Sequence, residues 1–327
     1  MSYTLFILSF IIILIGCEFF TNGIEWVGKL LRLGEGAVGS ILAAVGTALP
    51  ETTIPLVALL FRTRHAQEIG IGAILGAPLL LSTLAFFVTG LAVLVFAKRG
   101  QRTADMRVNV GVLGRDLRFF FMLFTMAVLS SFLPNRPLKI TTAFVLLILY
   151  ALYVRRTLRD SKRQPRHGAL DRLHIQRKKL TPHPVFIYIQ TGMGLLAIIL
   201  GARLFVEELA ALSIQWGISA LTLSLVLAPI ATELPEKFNS ITWVRKKKDT
   251  LAIGNISGAM VFQSSVVPAL GLLVTRWDLD LKTLVSCLIA LLSTAFAWTD
   301  LTFRKRLSAY SLLVGGLFYI IYLWWIL

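Results

Sequence analysis

Apolar runs of about 20 residues recur along almost the whole of this chain, and no other feature limits its fold as much. A helix of that length crosses a hydrocarbon core about 30 Å thick. Lipid satisfies no backbone hydrogen bonds, so a spanning segment is either a helix or part of a closed barrel. The runs are continuous and do not alternate every second residue, which favours helices. Charge content agrees: 15% of residues are charged, against about 25% in a soluble domain. That is too little polar surface to coat a water-soluble globule. The first run, Leu5 to Phe20, follows no basic segment and precedes no small-residue cleavage site. It reads as a first span and not as a removable signal peptide.

The pattern predicts ten spans, at roughly 4–22, 36–61, 69–97, 117–133, 138–154, 184–206, 218–243, 250–275, 281–299 and 307–326. The fourth and fifth are divided only by Leu133-Pro134-Asn135-Arg136-Pro137, a turn sequence. With the N-terminus outside, 25 basic residues fall in inner segments, 6 in outer ones, and Arg203 and Lys237 within spans. The positive-inside rule therefore places both termini outside and the central loop in the cytoplasm. That loop, residues 155–183, is basic and poor in apolar residues, and reads as a linker lying against anionic lipid. The net charge of +16 is accounted for by topology and lipid head groups, so no nucleic-acid partner is expected. Cys17 and Cys287 lie in apolar runs, which implies neither a disulfide framework nor a thiolate metal site.

A motif repeats inside the chain. Gly46-Thr-Ala-Leu-Pro-Glu51 returns as Ala231-Thr-Glu-Leu-Pro-Glu236, 185 residues later, and Gly16 and Gly201 share that offset. Gly72-Ala-Ile-Leu-Gly76 returns as Gly254-Asn-Ile-Ser-Gly258, 182 residues later. The expected organisation is a five-helix repeat at 1–154, the basic linker at 155–183, and a second five-helix repeat at 184–327. Five is odd, so the second repeat enters the membrane from the opposite side. The fold class is thus all-α, ten transmembrane helices in two inverted repeats. Secondary transporters of this design bind their substrate at the repeat interface near the midplane. The Gly-x-x-x-Gly copies predict that the third and eighth spans press closely on the second and seventh.

The repeated motif suits a cation. Pro50 and Pro235 lack an N–H and displace the carbonyl four residues back, that of Gly46 or Ala231. Glu51 and Thr47 are four apart, hence on one helix face, as are Glu236 and Thr232. A carboxylate at membrane depth needs a partner, and the first half supplies no basic residue at that depth. Carboxylates, hydroxyls and carbonyls form a hard oxygen set suited to Ca²⁺. Glu233 shares a face with Glu236 and adds a third carboxylate or a proton carrier. Glu18 and Glu25 read as interfacial, Arg203 pairs with Glu207, and Tyr319, Tyr322, Trp324 and Trp325 read as an interfacial belt. The sequence holds neither H-E-x-x-H nor G-x-S-x-G, and no histidine at membrane depth, so an enzyme is not expected.

These motifs resemble the cation/calcium exchanger superfamily, in its sodium/calcium exchanger branch. Its members carry two inverted repeats, each with a G-T-S-L-P-E helix followed by a G-N-x-x-G-S-N-x-x-N/D helix. The resemblance implies alternating-access exchange of Ca²⁺ against Na⁺. It makes Glu51 and Glu236 the central ligands, with oxygens from Thr47 and Thr232 and further polar positions at Asn255 and Gln263. Inorganic cations and membrane lipids are the implied partners, with no cofactor. The chain departs from the pattern at Ala48, Ala77, Leu81 and Ala259, where polar ligands are lost. Three readings follow: Ca²⁺/Na⁺ exchange, exchange of Ca²⁺ or another divalent ion against H⁺, or a non-transporting homologue acting as scaffold or sensor. The short loops suit a prokaryotic inner membrane.

Overall fold

A computed structural model of the chain describes residues 2–30, 43–60, 64–161 and 172–326. These are almost entirely helical. In order they form α1 (Ser2–Leu30), α2 (Ala43–Leu60), α3 (Arg64–Leu80), a π-helical turn (Leu81–Ala85), α4 (Phe86–Lys98), α5 (Val110–Leu129) and α6 (Arg136–Ser161). The rest form α7 (Pro184–Trp216), α8 (Ala220–Arg245), α9 (Asp249–Gln263), α10 (Val266–Val274), α11 (Leu281–Arg304) and α12 (Ala309–Ile326). Seven helical segments among the described residues are long and apolar enough to cross a membrane. The molecule is an integral, multi-pass membrane protein.

Two expected spans are not simple helices. The third bends where α3 gives way to the π-helical turn. Pro78 lies just before it, Ser82 Oγ donates to Pro78 O at 2.7 Å, and Thr83 Oγ1 donates to Leu79 O. The eighth is broken outright between α9 and α10. There Ser265 leaves helical geometry (φ −128°, ψ −73°), and Ser264 and Ser265 both donate to Val261 O, at 3.0 and 2.6 Å. Hydroxyls thus satisfy carbonyls that the helix leaves without a regular donor. Ser264 and Ser265 stand 182 residues after Ser82 and Thr83, the offset that relates the Gly-x-x-x-Gly copies.

The fourth span also differs from expectation. Asn109 caps α5 by accepting from Val112 N at 3.1 Å, so the helix starts at Val110 and not near 117. Arg115, Asp116 and Arg118 are therefore helical and not part of a loop. The linker is likewise not all loop: α6 runs on to Ser161. Leu173 is buried with Trp26 and Ile187, and Asn22 accepts from His174 N and from Gln190 Nε2. The end of the linker thus docks on α1 and α7, where residue pattern alone places it on lipid. Tyr319 and Tyr322 are also buried, and only Trp324 and Trp325 stay exposed.

α1 packs along α7, α3 along α8, α4 on α12, α6 on α10, α5 on α9 and α3 on α11. Apolar tails do not drive such helices together, because lipid is equally apolar, and close van der Waals fit does so instead. A Cβ on Gly194 would lie 2.5 Å from Phe20 N, and one on Gly16 would lie 2.9 Å from Ile198 N. α1 and α7 thus touch backbone to backbone. Gly72 faces Leu221 O and Ser224, and Gly76 faces Leu225 O and Pro229. The first Gly-x-x-x-Gly copy therefore presses the third span on the seventh, where the repeat pattern points to the second, because both glycines face the helix of the opposite half. The second copy does not behave alike. Nothing described lies within 4 Å of a Cβ on Gly254, and Gly258 meets only the Tyr153 hydroxyl, at 3.9 Å.

The close approach is testable within one helix. Gly194→Ala is expected to lose about 1–3 kcal/mol by overpacking. Gly192→Ala, whose Cβ meets nothing within 4 Å, should be neutral or slightly stabilising. Thermal unfolding in detergent reads both; equal stability of the two variants would contradict the contact.

Candidate functional site

α2 carries Thr47 and Glu51, and α8 carries Thr232, Glu233 and Glu236. The side chains of Thr47, Glu51, Glu233 and Glu236 lie outside the described residues. Their helices do not: α2 and α8 touch, and both pack on α3. The tight point is Gly76 against Pro229, two helical turns before Glu236. Only a residue without a side chain lets α3 ride this close to the Pro-Glu helix of the other half.

Thr232 is buried and its Oγ1 donates to Ala228 O at 3.3 Å. The hydroxyl therefore keeps an oxygen lone pair for another partner. Asn255 is half-buried on α9, and Gln263 is fully buried as the last residue of that helix, directly before the break. Eight residues separate them, so they lie about 80° apart around the axis. α9, which carries both residues, touches α2 and α8. Leu81, opposite Gln263 in the repeat, is fully buried at the start of the π-helical turn. The two halves thus distort their helices at the same place but supply polar oxygen from one side only.

Around these helices lies a polar frame that residue pattern did not reveal. Arg102 and Asp249 are almost fully buried. Arg102 Nη1 and Nη2 donate to the two carboxylate oxygens at 2.7 and 2.9 Å, and Nη1 also donates to Val244 O. Arg107 N adds a bond to Asp249 Oδ2 at 2.8 Å. The loop after α4 therefore grips the end of α8 and the start of α9. The same loop forms strand β1 (Asp105–Met106), antiparallel to β2 (Leu307–Ser308), with Arg306 on Asp105 at 2.7 Å. At the other end of α5 and α6, Arg136 donates to the carbonyls of Thr275 and Leu273. Lys139 Nζ donates to Asp278 Oδ1 at 2.9 Å.

Among the described residues Asp116 is the other buried carboxylate, 3% exposed. Ser257 Oγ of α9 donates to its Oδ2 at 2.8 Å, and Tyr153 of α6 to its Oδ1 at 3.2 Å. The only available signal was the Asn109 cap, which would have put Asp116 on a helix. Arg203 and Glu207 pair as expected, at 3.0 Å and exposed. Glu18 is exposed, 3.1 Å from His174 Nε2.

The sodium/calcium exchanger protein family model matches residues 1–158 and 186–327. The chain belongs to the sodium/calcium exchanger family. It is 29% identical to inner membrane protein YrbG of Escherichia coli over 74% of this chain and 70% of that protein. It is 22% identical to sodium/calcium exchanger MaX1 of Methanosarcina acetivorans over 80% of this chain and 79% of that one. Its fold is that of the H⁺/Ca²⁺ exchanger CAX (TM-score 0.77, 18% identity, 98% of this chain and 81% of CAX). The sodium-calcium exchanger NCX_Mj shares it (TM-score 0.61, 20% identity, 98% and 97% covered). The break in residues matched by the family model, 159–185, falls on the basic linker.

The buried clasp makes a clear prediction for this family member. Arg102→Ala strands Asp249 and should cost about 3–5 kcal/mol. Removing Asp249 as well, in Arg102→Ala/Asp249→Ala, should restore part of that loss. Denaturation of the purified protein measures it; a double variant no more stable than the single one would contradict the pairing.

Proposed function

We propose that this protein is a secondary antiporter that moves Ca²⁺ across the membrane against Na⁺ by alternating access. The observation that carries this reading is the recurrence of Thr-x-Leu-Pro-Glu on α2 and α8, two helices that touch and share α3 as a neighbour. In this reading Glu51 and Glu236 neutralise one divalent ion. Thr47, Thr232, Asn255, Gln263 and Glu233 supply further oxygens or exchange protons. MaX1, a relative over most of both chains, and NCX_Mj, which shares the fold, are named as exchangers of these ions.

The architecture is read as ten spans in two inverted repeats, counting α3–α4 as one span and α9–α10 as another. Packing supports it, because contacts come in pairs that exchange under the repeat: α4 on α12 with α6 on α10, and α3 on α11 with α5 on α9. Charge places both termini outside and the linker in the cytoplasm. The family resemblance assigns the alternating motion to the first and sixth spans, here α1 and α7.

A second reading exchanges Ca²⁺ for H⁺. It is favoured by Ala48, Ala77, Leu81 and Ala259, which remove oxygens that a dehydrated Na⁺ would need while leaving the glutamates that can carry protons. ⁴⁵Ca²⁺ uptake into proteoliposomes under imposed Na⁺ or pH gradients separates the two. Uptake driven by one gradient and abolished by Glu51→Gln is expected. Folded protein that moves no Ca²⁺ under either gradient would refute antiport and leave a scaffold or sensor.

A further inference from the structure

Asp116 stands apart from the Pro-Glu motifs, yet it is the most deeply buried carboxylate whose side chain is described. Burying a carboxylate in a membrane domain is unfavourable unless donors surround it. Three side chains do. Ser257 Oγ approaches Oδ2 at 2.8 Å, Tyr153 OH approaches Oδ1 at 3.2 Å, and Arg115 Nη2 lies 3.3 Å from Oδ1. Tyr153 is on α6 and Ser257 on α9, so one carboxylate joins three helices. An apolar contact would join them without the desolvation penalty. The arrangement is therefore better explained by what it orients.

Its place on α9 shows what that is. Ser257 lies about 160° around the helix from Asn255 and about 120° from Gln263. The carboxylate holds α9 from the side opposite Asn255. On Ser257's own side, Gly254 lies about 60° away around the helix and a Cβ there would meet nothing described within 4 Å, so the hydrogen bond to Asp116 holds that side, and the helix breaks directly after Gln263. Arg102 anchors α9 at its first residue, Asp249, eight residues before Ser257. An anchor at the start fixes position along the axis, and a second one along the helix is needed to fix rotation. Gly258, about 100° around the helix from Ser257, leaves room for the Tyr153 hydroxyl beside it.

We propose that Asp116 is a positioning residue for the cation site: through Ser257 it sets the rotation of α9, and so aims Asn255 and Gln263 at the ion. This rests on the reading that α9 lines the site. A partner that orients a ligand is worth roughly ten- to hundredfold in metal affinity. Neither Asp116 nor Ser257 touches the ion in this account.

The test uses the full chain purified in detergent, with Ca²⁺ as the probe in calorimetry. Asp116→Ala and Ser257→Ala should each raise the Kd by roughly ten- to hundredfold. Asp116→Asn, which keeps an acceptor for Ser257, should stay closer to the unmodified protein. The double variant Asp116→Ala/Ser257→Ala should be no worse than Asp116→Ala alone, because both remove one interaction. Ser257→Ala removes only a hydroxyl, so it keeps the test valid where Asp116→Ala fails to fold. Unchanged affinity in Ser257→Ala, or effects that multiply in the double variant, would overturn the proposal.

A second readout does not depend on metal. In a background lacking Cys17 and Cys287, the labelling rate of Asn255→Cys by a small thiol reagent reports the rotation of α9. Ser257→Ala should change that rate severalfold, and an unchanged rate would overturn the positioning role. If the rate changes but the unmodified protein binds no Ca²⁺, the positioning of α9 stands and the cation reading of the site fails.

Discussion

Everything in this molecule depends on how closely its helices approach, because the surrounding lipid gives apolar side chains no reason to prefer one another. Four points of contact set the frame. Gly16 and Gly194 let α1 and α7 meet backbone to backbone, and Gly72 and Gly76 let α3 ride on α8. With α3 fixed on α8, and α2 packed on α3, the two Pro-Glu helices become neighbours. A larger residue at Gly76 would meet Leu225 O and Pro229 and push α3 away from the helix that carries Glu236. The chemistry proposed for the centre is thus a consequence of spacing enforced at glycines.

Polar groups act on this frame in two ways. Ion pairs at the helix ends, the buried Arg102 with Asp249 and Lys139 with the exposed Asp278, join segments that are far apart in sequence. Each bond crosses from the first half of the chain to the second. Inside the bundle, hydroxyls serve the helix distortions: Ser82 and Thr83 at the turn after α3, Ser264 and Ser265 at the break after α9. Ser293 adds a bond to Ser82 O at 2.6 Å, so the bend in the first half is held by a helix of the second. The halves share a mechanical plan, but their polarity differs. Gln263 stands at the break where the first half has Leu81.

Much of this was legible in the residues. Apolar length marked the spans, and the doubled motif marked α2 and α8 as the helices of interest. Gly72 and Gly76 predicted a close helix contact, because a glycine pair four apart leaves a groove on one helix face, but not that α8 would fill it. The second pair carried the same pattern without the same contact, since what a groove receives depends on the partner helix. Asp116 was hidden because its partners lie 37 and 141 residues away, and its flanking arginines made the segment resemble a loop. The break after Gln263 was hidden because hydropathy is blind to whether a serine bonds its own helix. Tyr319 and Tyr322 were misplaced in a belt because aromatic residues near a terminus look alike whether they face lipid head groups or the core.

The account is most exposed at the claim that two glutamates from opposite halves form one site. Calorimetric titration of Ca²⁺ into the purified protein, into Glu51→Gln and into Glu236→Gln tests it directly. The prediction is one Ca²⁺ per chain, with binding lost when either glutamate is neutralised. Full-affinity binding that survives either substitution would contradict a shared site.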